Sequence, residues 1–113
     1  MAYARFSILR VPFPFTDRQS QKHRPALVIS DPSFQQASGH LLLAMVTSAA
    51  HSAWPLDWPI QKLESTGLKH ACLVRLKLFT LDERLCLNRL GELSTVDANG
   101  VCQRLEALLP RRS

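Results

Sequence analysis

The chain has 113 residues, 46% of them apolar, and a formal charge of +5. That apolar share excludes a disordered chain, and the length fits one domain spanning 1–113 with one hydrophobic core. The basic balance favours a polyanionic partner, since each Lys or Arg set against a phosphate releases counterions.

Phe6 to Val11 reads as a first strand running into a turn-prone stretch, Pro12 to Asp17, and an exposed loop, Arg18 to His23. Pro25 opens a second strand, Ala26 to Ser30, because proline is tolerated where a strand begins. Asp31 followed by Pro32 is a helix-start signal, with one short helical turn over Ser33 to Ala37 and Gly39 releasing the chain. His40 to Thr47 is a third strand. Ser48 to Pro55 is irregular, and Leu56 to Ile60, with Pro59 inside it, suits only an edge strand. Gly67 closes a loop. Ala71 to Phe79 alternates, with Cys72, Val74, Leu76 and Leu78 on one face and Arg75 and Lys77 on the other. Asp82-Glu83-Arg84 is expected to make a hairpin turn into a last strand, Leu85 to Leu93.

The C-terminal segment is the one clear helix. Ser94 is its N-cap and Asp97 its third residue, a relative of the capping box. Ala98, Val101, Cys102, Leu105, Leu108 and Leu109 form one stripe, with Asn99, Gln103, Arg104 and Glu106 facing away. Gly100 costs about 1 kcal/mol relative to alanine at such a position. Pro110 stops the helix, and Arg111 and Arg112 suit its negative end. One helix on a small antiparallel sheet gives a mainly β, α+β fold.

Cys72, Cys86 and Cys102 are odd in number and lack C-x-x-C spacing, which points to free thiols packed as small core residues in a reducing compartment. Met1 to Arg10 has no signal-peptide pattern, and the longest aliphatic run, Leu41 to Val46, is too short to span a bilayer. A cytoplasmic protein with no membrane partner is expected. His23, His40, His51 and His70 are scattered, without metal-ligand spacing, so no metal and no cofactor are expected. What remains is polar residues at strand boundaries: Arg24, fixed by Pro25; Thr47 and Ser48 at the end of the third strand; and Arg75. An arginine on a rigid element presents a planar fork to a phosphate, and a neighbouring hydroxyl can bond the same group.

The block Val11-Pro12-Phe13-Pro14-Phe15-Thr16-Asp17, followed by Lys22-His23-Arg24-Pro25-Ala26-Leu27-Val28-Ile29-Ser30, resembles the opening of MazF/PemK-like toxins. Val46-Thr47-Ser48, Val74 to Asp82 and Leu90-Gly91-Glu92-Leu93 follow in the family's order, so the resemblance runs from about Phe6 to Leu109. It implies an SH3-like small barrel of antiparallel strands with a C-terminal helix, usually a homodimer. It also implies a sequence-specific, metal-independent endoribonuclease of a toxin–antitoxin system that cuts single-stranded mRNA and is neutralised by a cognate antitoxin. Products would be a 2′,3′-cyclic phosphate and a 5′-hydroxyl. Carried over by position, Arg24 and Thr47 are catalytic, with Arg75 matching an arginine some members use. Candidate RNA contacts are Phe13, Phe15, Lys22, His23, Ser48, Trp54 and Lys77, the aromatics as stacking surfaces. Two departures stand out: Phe6-Ser7 where the family usually has Gly-Asp or Gly-Glu, and Lys77 where some members carry an acid.

Two other functions share this barrel type. One is a non-enzymatic toxin that binds DNA gyrase. The other is a catalytically silent RNA-binding relative. The Arg24-Pro25 block favours the ribonuclease, because that arginine has a role there.

Overall fold

The strands follow from a two-residue period that is apolar on both sides of the chain, as in Leu41 to Val46, where neither face can be left to water. The computed structural model describes residues 2–12, 23–50 and 53–112. The turn-prone stretch after Pro12 and the loop before His23, with Phe13, Phe15 and Lys22, lie outside the described residues. The elements are β1 (Ser7–Pro12), β2 (His23–Val28), α1 (Pro32–Ser38), β3 (His40–Ser48), β4 (Trp58–Pro59), β5 (Cys72–Asp82), β6 (Asn88–Glu92) and α2 (Thr95–Leu108). They form one antiparallel sheet in the order β4-β5-β3-β2-β1-β6. The loop after β4 bends back onto β6, where Glu92 N–H donates to Ser65 O at 2.9 Å and Ser65 Oγ to Glu92 O at 2.8 Å. The sheet is thereby curled into a half-barrel.

Each face of the sheet carries its own apolar cluster. Ile8, Leu27, Ala44, Val46, Val74 and Leu76 pack with Val101 of α2 on one face. On the other, Leu9, Val11, Ala26, Val28, Leu41, Leu43, Phe79 and Leu81 pack together, with Tyr3 against them. At about 1.5–3 kcal/mol for each large side chain taken out of water, these two layers are the main favourable term.

The short helix begins and ends as its residues dictate. Asp31 Oδ2 accepts from Ser33 N–H at 2.9 Å, and Gly39, at φ 73°, donates its N–H to Gln35 O at 2.7 Å. The expected hairpin at Asp82-Glu83-Arg84 does not exist. Glu83–Leu85 is a 3-10 helix capped by Asp82, which accepts from Arg84 N–H, and the chain then crosses to β6 beside β1. β3 holds one edge of β5 from Cys72 to Asp82, β4 pairs on the other edge only with Leu73 and Val74, and β6 pairs with β1 instead.

The C-terminal helix docks through one buried carboxylate. Asp97 has no exposed surface and accepts from Trp58 Nε1 at 3.0 Å, Gln61 N–H at 2.8 Å, Lys62 N–H at 3.0 Å and Ser94 Oγ at 3.1 Å. Burial alone would raise its pKa; the four donors outweigh burial and hold it below the usual carboxylate range. Gly100 lies under the Trp58 ring, where a Cβ would stand 2.2 Å from Cζ2. The glycine that weakens the helix locally is what lets the tryptophan reach Asp97. The predicted stripe holds as far as Leu105 and then fails: Leu108 and Leu109 are exposed, and Arg104, expected to face away, stacks 5.2 Å from the Trp58 ring. All three cysteines are half-buried free thiols, and burial raises the pKa of Cys72 and Cys86. Among the described residues no helix is long and apolar enough to cross a membrane.

Gly100→Ala should lower the unfolding free energy by about 2 kcal/mol in urea titrations, against the gain of about 1 kcal/mol expected in an unobstructed helix. Asp97→Asn should cost about 3 kcal/mol at pH 7, because one amide oxygen cannot serve four donors. The stability Asp97 contributes is present above the unfolded carboxylate value near 4 and is lost as pH falls through its lower folded value. The wild type should therefore weaken below about pH 4 more steeply than Asp97→Asn; parallel acid profiles would contradict this.

Candidate active site

Alternation along three neighbouring strands decides which polar side chains meet. Side chains two apart on a strand share a face, and paired residues on adjacent strands share it too. The face that buries Val28 and Ala26 on β2 continues to Arg24. On β3 it runs from Leu41 and Leu43 to Met45 and Thr47, and on β5 from Leu81 and Phe79 to Lys77 and Arg75. Core thus grades into a basic, hydroxyl-bearing surface within one sheet face.

The register brings the first two together. Ala26 pairs with Met45 at the end of the β2–β3 ladder, and Arg24 and Thr47 lie two residues beyond that pair on their respective strands. The same alternation puts both side chains on one side of the sheet, past the end of the ladder. Arg75 pairs with Met45, one diagonal step from Thr47, a separation of about 7–8 Å between Cα atoms. Between the partners of Ala44 and Met45, β5 carries Leu76 and Lys77 as a bulge. Bulges of this kind re-aim side chains beside functional sites. Thr47 is buried and Arg24 half-buried at the edge of this patch.

The two arginines differ in their surroundings. Among the described residues Arg24 forms no ion pair. Arg75 is gripped by Asp57, its Nε donating to Oδ1 at 3.2 Å and its Nη2 to Oδ2 at 3.0 Å, with both side chains close to nine-tenths buried. The Arg75 guanidinium also lies 5.6 Å from the centre of the half-exposed Trp54 ring, a cation–π contact.

Of the residues singled out from the sequence, Arg24, Thr47, Arg75, Lys77 and Trp54 therefore share one side of the sheet. His23 and Ser48 alternate onto the other face, each one residue out of step with its neighbour, and both are exposed. Asp57 was missed. Its partner is 18 positions away in the chain, and only the turn-forming Trp54-Pro55-Leu56-Asp57 stretch marks its neighbourhood. Among the described residues no three His, Cys, Asp or Glu side chains gather to hold a metal.

The chain is a curled antiparallel half-barrel with a C-terminal helix, one face of which ends in two arginines and a threonine. Residues 4–109 match the pattern of the PemK-like, MazF-like toxins of type II toxin–antitoxin systems, and the chain belongs to that family. The fold agrees. A mycobacterial endoribonuclease in complex with its cognate antitoxin superposes with a TM-score of 0.78 at 16% identity, covering 99% of each chain. MazF from Deinococcus radiodurans gives 0.75 at 23% identity, covering 98% of this chain and 99% of that one. The MazE–MazF complex from the same organism gives 0.72 at 21%, covering 99% of each chain. Comparison with curated protein sequences returns no match.

Arg75→Ala should destabilise the protein by about 3 kcal/mol, since it strands a mostly buried carboxylate, whereas Arg24→Ala should cost under about 1 kcal/mol. Urea midpoints for the two variants check this; equal losses would mean that the Asp57 pair contributes nothing.

Proposed function

We propose that this toxin is a metal-independent endoribonuclease that cleaves single-stranded RNA, mRNA in the cell, at the phosphodiester gripped by Arg24 and Thr47. The observation that carries the reading is their placement: an arginine with no ion pair among the described residues and a hydroxyl at the same end of neighbouring strands, on one side of the sheet, with a second guanidinium on β5 beside them. The likeness to a mycobacterial endoribonuclease bound to its cognate antitoxin supports the same class.

RNA brings its own nucleophile. The ribose 2′-oxygen attacks phosphorus and loses its proton; the P–O2′ bond forms as the P–O5′ bond breaks, and the departing 5′-oxygen gains a proton. The products are a 2′,3′-cyclic phosphate and a 5′-hydroxyl. Negative charge builds on the non-bridging oxygens in the transition state, where fixed donors count most. Arg24 and Arg75 neutralise that charge, and the Thr47 hydroxyl bonds one of the oxygens. Lys77 adds positive potential, and Trp54 offers a face on which an unpaired base stacks. Phe13, Phe15 and Lys22 remain RNA contacts in this proposal by the family resemblance.

A cognate antitoxin as inhibitor, action as a homodimer and a cytoplasmic location complete the proposal. The exposed side chains of Phe34, Leu85 and Leu87 offer apolar surface for such protein contacts.

Incubation of the purified protein with a long single-stranded RNA in EDTA should yield discrete fragments with cyclic phosphate ends. Arg24→Ala should slow this at least about 100-fold, the scale of losing one transition-state donor, while its circular dichroism and thermal midpoint stay near wild type. Intact RNA with lost gyrase supercoiling, RNA that is retarded but uncut, or wild-type cleavage by Arg24→Ala would each overturn the assignment.

A further inference from the structure

We infer that Asp57 is a positioning residue for cleavage, fixing the Arg75 guanidinium and the Trp54 ring as one unit beside the reacting phosphate. The inference rests on the ribonuclease reading above and names a residue that reading does not require.

Trp54 to Asp57 form a tight turn closed by Asp57 N–H donating to Trp54 O at 3.2 Å, with Pro55 at the second position. Leu56, at the third, has φ 65°. That is the left-handed conformation a type II turn demands, normally met by glycine. A leucine there costs about 1 kcal/mol or more and persists only where surroundings over-determine it. Two things do so: the Leu56 side chain packs against the apolar cluster under α2, and Asp57 Oδ2 accepts from Trp54 N–H at 2.9 Å.

The carboxylate then does a second job. The same Oδ2 that closes the turn accepts from Arg75 Nη2, and Oδ1 accepts from Nε. A guanidinium held by its Nε/Nη2 edge has both its plane and its outward direction fixed. The Trp54 ring meets the same guanidinium. One carboxylate therefore sets a charge and a stacking surface relative to each other, from a turn whose backbone is itself strained into place. Asp57 precedes Trp58, whose indole is bonded to Asp97 on the opposite face. Pairing of Trp58 with Val74 sets the turn's register on β5, and the Trp58–Asp97 bond ties that pair to α2.

Positioning of this kind acts on the rate more than on binding. With Asp57→Asn the main-chain bond still closes the turn around Trp54, but the charge that aims Arg75 is gone. Cleavage of an RNA oligonucleotide, followed with a real-time fluorophore–quencher readout, should show kcat reduced about 100-fold, the cost of a group displaced by roughly 1 Å. KM should change less than about threefold, the pattern of an interaction lost in the transition state. In an Arg75→Ala background, with residual cleavage measured using enzyme in excess, adding Asp57→Asn should change the rate by less than about twofold, because residues acting as a unit are non-additive. Asp57→Glu keeps the charge of the pair and is assayed alongside, with thermal midpoints for every variant; a folded Asp57→Glu should lose about tenfold in kcat. Wild-type kcat in folded Asp57→Asn or Asp57→Glu, a loss confined to KM, or an equal loss without Arg75 would overturn the inference. A wild type that leaves RNA whole fails at the earlier step and is told apart from a cutting enzyme indifferent to Asp57.

Discussion

The two-residue period of three adjacent strands is the constraint from which the rest of this molecule follows. Because the alternation of β2, β3 and β5 survives the two-residue bulge at Leu76 and Lys77, the face that buries Val28, Leu43 and Phe79 at one end presents Arg24, Thr47 and Arg75 at the other. A slip of one residue on β2 would turn Arg24 to the far face and Leu27 out of its cluster together. The hydrophobic layer thus enforces the alignment of the polar groups.

The segment from Trp54 to Trp58 ties the two sides of the sheet at its edge. Asp57 reaches Arg75 on one face while its neighbour Trp58 reaches Asp97 and Gly100 on the other. A short edge strand with a proline in it has little pairing of its own, so side chains hold it. Buried carboxylates do that work twice, each satisfied by several donors, which is the condition under which a buried charge is tolerated.

Much of this was legible in the sequence. The Asp31-Pro32 start, the Gly39 stop, the Ser94 cap and the alternation of Val74, Leu76 and Arg75 are local signals, and the structure bears them out. Arg24 and Thr47 stood out as polar residues at strand boundaries, the resemblance gave them a catalytic role, and period-two counting separates them from His23 and Ser48. The supposed hairpin after Asp82 shows the limit of adjacency: consecutive strands usually pair, but a 3-10 helix at Glu83–Leu85 carries the chain on to β6, which pairs with β1 instead. Asp57 was out of reach because an ion pair across 18 residues leaves no periodic trace. Gly100 looked like a weak point of the helix, since the ring that demands it arrives from a different part of the chain.

The most direct test is the structure of the protein with a single-stranded RNA whose attacking 2′-hydroxyl is replaced by hydrogen, so that it binds without reacting. The account expects the phosphate 3′ to that deoxyribose within hydrogen-bonding reach of both the Arg24 guanidinium and the Thr47 hydroxyl, with a base against Trp54. A phosphate seated on the opposite face beside His23 and Ser48, or one touching Arg24 with Thr47 turned away, would contradict it.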